Sequence, residues 1–296
     1  MTLQSYATTQ AIVAYPPENG KRQWRLEDVE LTQPEDDEAI VEVIATGICH
    51  TDLGCASAPD GTPGFPVPPY PRIVGHEGAG YVSEDELKML APLGCGIQTG
   101  AGTITKLAAA TQDDTVAVIG LGGVGLAAVM AAKIIGCRTV IGIDRVPSRL
   151  DLAQSLGATH TVNTANITNT LTEGIRKLTG GPGSTITVDA TGVVPLIKQG
   201  LEFTANQGKM ILLGVAPMDA SLDLPIVPHM VSGKQLLGSM EGGVYPEDYI
   251  PQLIQWYHEG RFPLGKLIKT YDVKDFELAV KDMEDGTTIK PILIWS

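Results

Sequence analysis

The 296-residue chain is 43% hydrophobic and 19% charged, the proportions of a globular protein and not of a disordered one. Its 21 basic against 34 acidic side chains leave a net charge of −13, which argues against a nucleic-acid surface or a polybasic membrane patch and leaves small molecules or other proteins as partners. The four cysteines, Cys49, Cys55, Cys95 and Cys137, are too sparse for a disulfide framework and point to thiolate ligands or buried thiols in a reducing compartment.

The first segment, MTLQSYATTQAIVAYPPENGKRQW, lacks a basic flank followed by a continuous apolar core, so no secretory signal is read and the cytoplasm is the expected location. Residues 1 to 45 alternate turn signals with short β-like runs, and AIVEVIATGI (39–48) is the clearest strand. The proline-rich GTPGFPVPPYPRIVGHEGAGYV (61–82) cannot be one helix and reads as an extended surface loop in a barrel-like domain.

After Gly100 the pattern changes. The strands TVAVIG, RTVIGID, HTVN, STITVDAT and KMILLGV are separated by helical stretches starting with Gly122–Ile135 and SRLDLAQSLG. Such alternation predicts an α/β fold with a right-handed, doubly wound parallel sheet. The expected division is a nucleotide-binding domain over 95–247 and a second domain built from 1–94 and 248–296, whose tail contains an amphipathic helix (YIPQLIQWYHEGRF) and a closing strand (TIKPILIW). The uncharged window from Val116 to Ala132 falls short of the roughly 20 residues a bilayer requires and is interrupted by glycines, so no membrane span is expected.

Those glycines, Gly120-Leu121-Gly122-Gly123-Val124-Gly125, follow a strand and open a helix, the setting of a dinucleotide turn. Gly120 permits the tight turn, Gly122 lets a pyrophosphate approach the backbone, and Gly125 brings helix against strand, while the helix N-terminus favours the phosphates. Asp144 ends the next strand, where a carboxylate can bind both ribose hydroxyls and repel a 2′-phosphate, so NAD is favoured over NADP; Arg145 and Arg149 nearby weaken that preference. The competing reading is a glycine turn used only for close packing.

A second constellation is Cys49-His50-Thr51-Asp52, Gly75-His76-Glu77 and Gly94-Cys95-Gly96. Two thiolates and an imidazole with an open fourth position suit a catalytic zinc, but spacing this wide leaves plain buried cysteines as an alternative. Cys55, Cys137, His160, His229 and His258 read as packing or surface residues.

ATGICHTD, PRIVGHEGAGYV, APLGCGIQTG and GLGGVGLAAVMAAKIIG, in this order, resemble the zinc-dependent medium-chain alcohol dehydrogenases, and FPVPPYPRIVGHEGAGYV with the C-terminal EGRFPLGKLIKTY is similar to the NAD-dependent aryl-alcohol (benzyl-type) members. The resemblance implies a Rossmann domain beside a GroES-like β-barrel catalytic domain, and a hydride transfer between a primary, aryl-type alcohol or aldehyde and NAD. It implies that Cys49, His76 and Cys95 ligate one catalytic zinc, that Glu77 ligates it transiently, and that Asp52 orients a ligating histidine. Thr51 would take the alcohol proton; His50 would lie near the cofactor pyrophosphate and pass that proton outward; Thr99, Val215 and Lys290 would contact nicotinamide or phosphates.

The chain also departs from that family. Gly54 stands where many relatives carry a relay histidine, and Val82 runs directly into SEDELKMLAPLGCG, where relatives have a stretch completing the barrel and a four-cysteine lobe for a structural zinc. The expectation is therefore an internal deletion after Val82, an incomplete barrel, no structural zinc and a self-sufficient nucleotide-binding half. Two alternatives follow, an NAD-binding remnant with impaired catalysis and a zinc-free reductase of the same superfamily. Relatives pair edge strands of their nucleotide-binding sheets, so Leu236–Met240 is the candidate homo-oligomer edge.

Overall fold

The computed structural model describes residues 5–32, 41–62, 67–79 and 88–295, so the junction at Val82 and Ser83 lies outside the described residues. The chain divides into two compact units, Met1–Pro92 with Ile268–Ser296, and Leu93–Leu267.

The first unit opens with a hairpin of β1 (Ser5–Glu18) and β2 (Lys21–Thr32), longer than the short runs expected from sequence. Its two-residue turn, Asn19-Gly20, has φ of 52° and 73°, both left-handed, so its twist matches that of the strands. The chain continues through β3 (Ala45–Gly47), α1 (His50–Cys55), β4 (Arg72–Ile73) and β5 (Glu77–Ala79). Among the described residues of the strand expected over 39–48, only Ala45–Gly47 forms a ladder.

The second unit carries β6 (Thr115–Ile119), β7 (Thr139–Asp144), β8 (His160–Asn163), β9 (Ser184–Asp189), β10 (Thr204–Leu212) and β11 (Gln235–Gly238). Its helices are α2 (Gly96–Gly102), α3 (Gly123–Ile135), α4 (Pro147–Leu156), α5 (Leu171–Leu178), α6 (Val194–Phe203), α7 (Ile226–Ser232) and α8 (Pro246–His258). All strand pairs are parallel, in the order β11-β10-β9-β6-β7-β8, so the order reverses between β6 and β9 in the doubly wound manner. Ala117, Ile119, Ile141 and Ile143 from β6 and β7 pack with Leu171, Ile175 and Phe203 in a buried core. The apolar Val116–Ala132 window is divided between β6 and α3, and among the described residues no helix is long and apolar enough to cross a membrane.

The chain returns to the first unit with β12 (Ile268–Asp272), α9 (Phe276–Glu284) and β13 (Lys290–Ile294). This return comes later than residue 248 because α8 belongs to the second unit: it buries Tyr249, Leu253 and Trp256, and the Tyr249 hydroxyl meets Thr105 Oγ1 at 2.7 Å. The entry into that unit falls at Leu93, two residues before the expected Cys95.

Back in the first unit, the described strands form two sheets, β2-β1-β4 and β12-β13-β3-β5, with no ladder joining them among the described residues. The core between chain ends is built by Ile48 and Leu53 with Tyr271, Val273, Phe276, Val280, Met283 and Leu293, and Trp24 meets Phe276 edge-on at 5.8 Å. Burying Ile48 and Leu53 contributes about 1.5–3 kcal/mol each and fixes the segment between them, which carries Cys49 to Asp52.

Candidate functional site

Cys49 is the N-cap of α1, and the helix is closed by a capping arrangement in which Asp52 Oδ2 accepts the Cys49 N–H at 2.8 Å. The other oxygen of Asp52, Oδ1, lies 2.9 Å from His76 Nδ1. Asp52 is buried, so its carboxylate both ends the helix and sets the imidazole, leaving Nε2 as the nitrogen for a metal. Bonding to Asp52 and to Cys49 raises the His76 pKa to about 10 against the opposing effect of burial, so a cation that binds there displaces a proton.

Gly47, opposite Glu77 in the β3–β5 ladder, leaves room for the Glu77 carboxylate: a Cβ at Gly47 would stand 1.9 Å from Oε2. Glu77 is buried, which pushes its pKa up, while Lys290 pulls the other way. Lys290 Nζ, also buried, donates to Glu77 Oε1 at 2.6 Å and to the Ile48 carbonyl at 3.2 Å. Glu77 Oε2 is buried without a hydrogen-bond partner. One ligand atom from each of Cys49, His76 and Glu77 falls within 4.8 Å of the others. Thiolate, imidazole and an unpaired carboxylate oxygen together are a donor set that fits a divalent cation of borderline softness, zinc above all.

The remaining residues of this segment are arranged around that cluster. The Cys49 Sγ lies 3.7 Å from Thr51 Oγ1, His50 is the exposed first residue of α1, and Gly54 is exposed on the same helix. Arg72 is buried after the proline-rich loop; its guanidinium donates to the Cys55 carbonyl and to Asp60 and stacks on Tyr70 at 3.6 Å, tying that loop to the end of α1. Cys95 belongs to the second unit, where it is the N-cap of α2.

In the second unit, the glycine turn has the shape a dinucleotide needs. Gly120 has φ of 89°, and a Cβ at Gly125 would stand 1.8 Å from the Gly120 carbonyl, so helix and strand meet closely there. At Gly122 a Cβ would meet nothing within 4 Å, an opening beside the first amides of α3. Gly123 and Val124 begin that helix. Asp144, at the end of β7, is tethered to the turn: Oδ2 accepts the Leu121 N–H at 2.8 Å, and Oδ1 accepts the N–H groups of Arg145 and Val146 at 2.7 and 3.0 Å. Three bonds on a carboxylate with about four lone-pair positions leave room for a hydroxyl donor. Arg149 Nη1 is 3.9 Å from the same Oδ2.

Of the other residues expected to meet a cofactor, Thr99 lies on α2 with its hydroxyl donating to Glu241 Oε2 at 3.3 Å. Val215 is 74% exposed, with its carbonyl close against Gly192. Lys290 lies instead within the donor cluster of the first unit, its ammonium held by Glu77. Sequence reasoning missed that pairing, since the two residues are 213 positions apart, and it missed Gln98 and Glu241, which stand in no pattern of their own.

Two family models match the chain, the alcohol dehydrogenase GroES-like domain over residues 35–133 and the zinc-binding dehydrogenase over 123–259. A geraniol dehydrogenase from Castellaniella defragrans is 26% identical over 359 positions, covering 91% of this chain and 94% of the relative. An S-(hydroxymethyl)glutathione dehydrogenase from Paracoccus denitrificans is likewise 26% identical, over 90% of this chain and 95% of its own length. The benzyl alcohol dehydrogenase of Acinetobacter calcoaceticus superposes with a TM-score of 0.87 at 27% identity, over 97% of this chain and all of that one. The donor cluster, the glycine turn and these matches agree: the chain belongs to the zinc-dependent medium-chain alcohol dehydrogenase family.

Proposed function

We propose that this protein interconverts a primary, aryl-type alcohol and its aldehyde with NAD, using one zinc held by Cys49, His76 and Cys95. The observation that carries the reading is the imidazole of His76, aligned by buried Asp52 beside Cys49 and an unpaired oxygen of Glu77. Zinc bound there would acidify an alcohol and, in the reverse direction, polarise a carbonyl. Thr51, whose hydroxyl lies next to the Cys49 sulfur, receives the alcohol proton at Oγ1, and exposed His50 passes it to solvent, because Gly54 offers no side chain for the task. Glu77 is held by Lys290 on one oxygen and keeps the other for transient ligation. Asp144, with one acceptor position left, takes a ribose hydroxyl of NAD, and the turn Gly120–Gly125 takes its pyrophosphate. The aryl preference rests on the likeness to a benzyl alcohol dehydrogenase.

The test is metal analysis of purified protein followed by an assay with NAD and benzyl alcohol. About one zinc per chain and NAD reduction that stops on chelation support the reading, and a folded, metal-free protein without turnover overturns it. That second outcome fits an NAD-binding remnant. Such a remnant is favoured by one observation: the alignment with geraniol dehydrogenase spans 359 positions, more than the 296 residues of this chain, so the relative carries residues with no counterpart here.

The protein is further proposed to pair with a second copy along β11. This strand ends the parallel sheet, and Ile226, Val227, Met230 and Val231 of α7 with Met240 are all strongly exposed.

A further inference from the structure

A six-residue helix such as α1 is too short to stand on its own hydrogen bonds, so its surroundings must hold it. Its N-cap and first turn carry Cys49, Thr51 and Asp52, and Ile48 and Leu53 bury themselves in the core on either side. Apolar contact is non-directional: it fixes the depth of the helix and leaves it free to swing. The bond between Asp52 Oδ1 and His76 Nδ1, at 2.9 Å, resists that swing at one point only, and a single tie is a pivot. A swing about it would change the separation of Cys49 from His76 while leaving the bond intact.

Arg72 supplies the second tie. It belongs to β4, four residues before His76, and stands opposite Ala14 in the ladder with β1. Its Nη1 donates at 3.1 Å to the carbonyl of Cys55, the last residue of α1. The two ties join the same two segments, at Asp52 and Cys55 on one side and at His76 and Arg72 on the other, and together they remove the pivot. Tyr70 backs the contact: its ring centroid lies 3.6 Å from the guanidinium, and its hydroxyl is 3.1 and 3.0 Å from the carbonyls of Ala56 and Ala58, just beyond the helix.

This arrangement is costly. Arg72 is 2% exposed, its Nε is buried without a hydrogen-bond partner among the described residues, and its carboxylate partner, Asp60, is half exposed. An apolar side chain would fill the space without burying a charge, and buried ion pairs can often be replaced in that way with no loss of stability. What an apolar chain lacks is direction. The planar fork aims Nη1 at the helix end and Nη2 at Asp60 with a fixed angle between them. Direction matters at a metal site, whose donors must be held within about 0.5 Å of their working geometry.

We propose that Arg72 is a positioning residue for the metal site, fixing the far end of α1 against the strand that leads to His76 and so setting the spacing of Cys49 and His76 before a metal arrives. The inference rests on the reading of those two residues as zinc ligands. The experiment uses the full chain carrying Arg72→Met, which keeps the bulk and removes the fork. It reads zinc affinity by competition with a chromophoric chelator, and the visible spectrum once cobalt(II) replaces zinc. Zinc affinity is expected to fall by about tenfold or more, as for other groups that orient metal ligands. The cobalt d–d bands are expected to change in position and intensity, because they report the angles between donors.

The spectrum separates positioning from stability. A variant that is merely less stable binds metal more weakly yet holds it in the native geometry, so native cobalt bands in Arg72→Met overturn the assignment whatever its melting temperature. Should that variant not fold, Asp60→Ala decides by the same bands: it releases Nη2 and loosens the fork, so altered bands support the assignment and native bands overturn it. Failure of the native protein to bind either zinc or cobalt(II) would instead refute the metal reading itself.

Discussion

Asp52 has two duties, closing α1 through Oδ2 and aligning His76 through Oδ1, and both follow from its place three residues after Cys49. Asp52→Asn keeps the size but removes the charge that holds the imidazole. Zinc affinity, read by competition with a chromophoric chelator, should fall by about 10–100-fold. The same pair predicts a pH dependence for the metal-free protein. His76 is raised from 6.5 to about 10 on folding, so the stability it contributes is fully present below pH 6.5 and is lost as pH rises through about 10. Urea unfolding of chelator-treated protein should therefore show lower stability at pH 10 than at pH 7 on this account, and the decline should shrink in Asp52→Asn. Cys95→Ser should abolish zinc retention and alcohol oxidation while NAD binding persists; turnover surviving in that variant would remove Cys95 from the ligand set.

At the level of elements, two glycines three positions apart make opposite predictions. A methyl at Gly125 collides with the Gly120 carbonyl, and the collision is between backbones that have no rotamer to yield, so Gly125→Ala should lower stability by about 1–3 kcal/mol or more. Gly122 faces open space with φ of −78°, so Gly122→Ala should melt at the native temperature yet bind NAD more weakly, because its methyl enters the pyrophosphate approach. Thermal denaturation with dinucleotide titration separates the two, and equal melting temperatures for both variants would show the glycine turn to be misread.

The same elements show what was legible from sequence. The strand–turn–helix at Gly120 was readable because it is a local pattern of apolar run, glycine and small-residue helix. The Asn19-Gly20 turn is an equally local hairpin signal, but strands as long as β1 and β2 are not marked by it, since polar residues interrupt the apolar alternation on both sides. Helices α2, α7 and α9 were not anticipated, and Glu241 with Thr99, 142 positions apart, could not be: only tertiary packing brings such residues together.

For the whole molecule, the exposed apolar face of α7 beside β11 predicts association. Replacing Ile226 and Val231 with lysine should convert a dimer to a monomer in light scattering while leaving the melting temperature nearly unchanged, since neither side chain is buried in the chain itself. A native protein that is monomeric at micromolar concentration would refute the pairing.

The two units differ in how the chain supplies them: Leu93–Leu267 is continuous, whereas the other waits for β12, α9 and β13 from the far end. The parallel-sheet half can therefore complete its core without the returning segment, whereas the cysteine- and histidine-bearing half has neither its Phe276 core nor the lysine that neutralises Glu77 until β12, α9 and β13 are available. Metal capture accordingly waits on the segment past residue 267, and a chain truncated after Leu267 should already resist protease over its nucleotide-binding half while its N-terminal half is still digested.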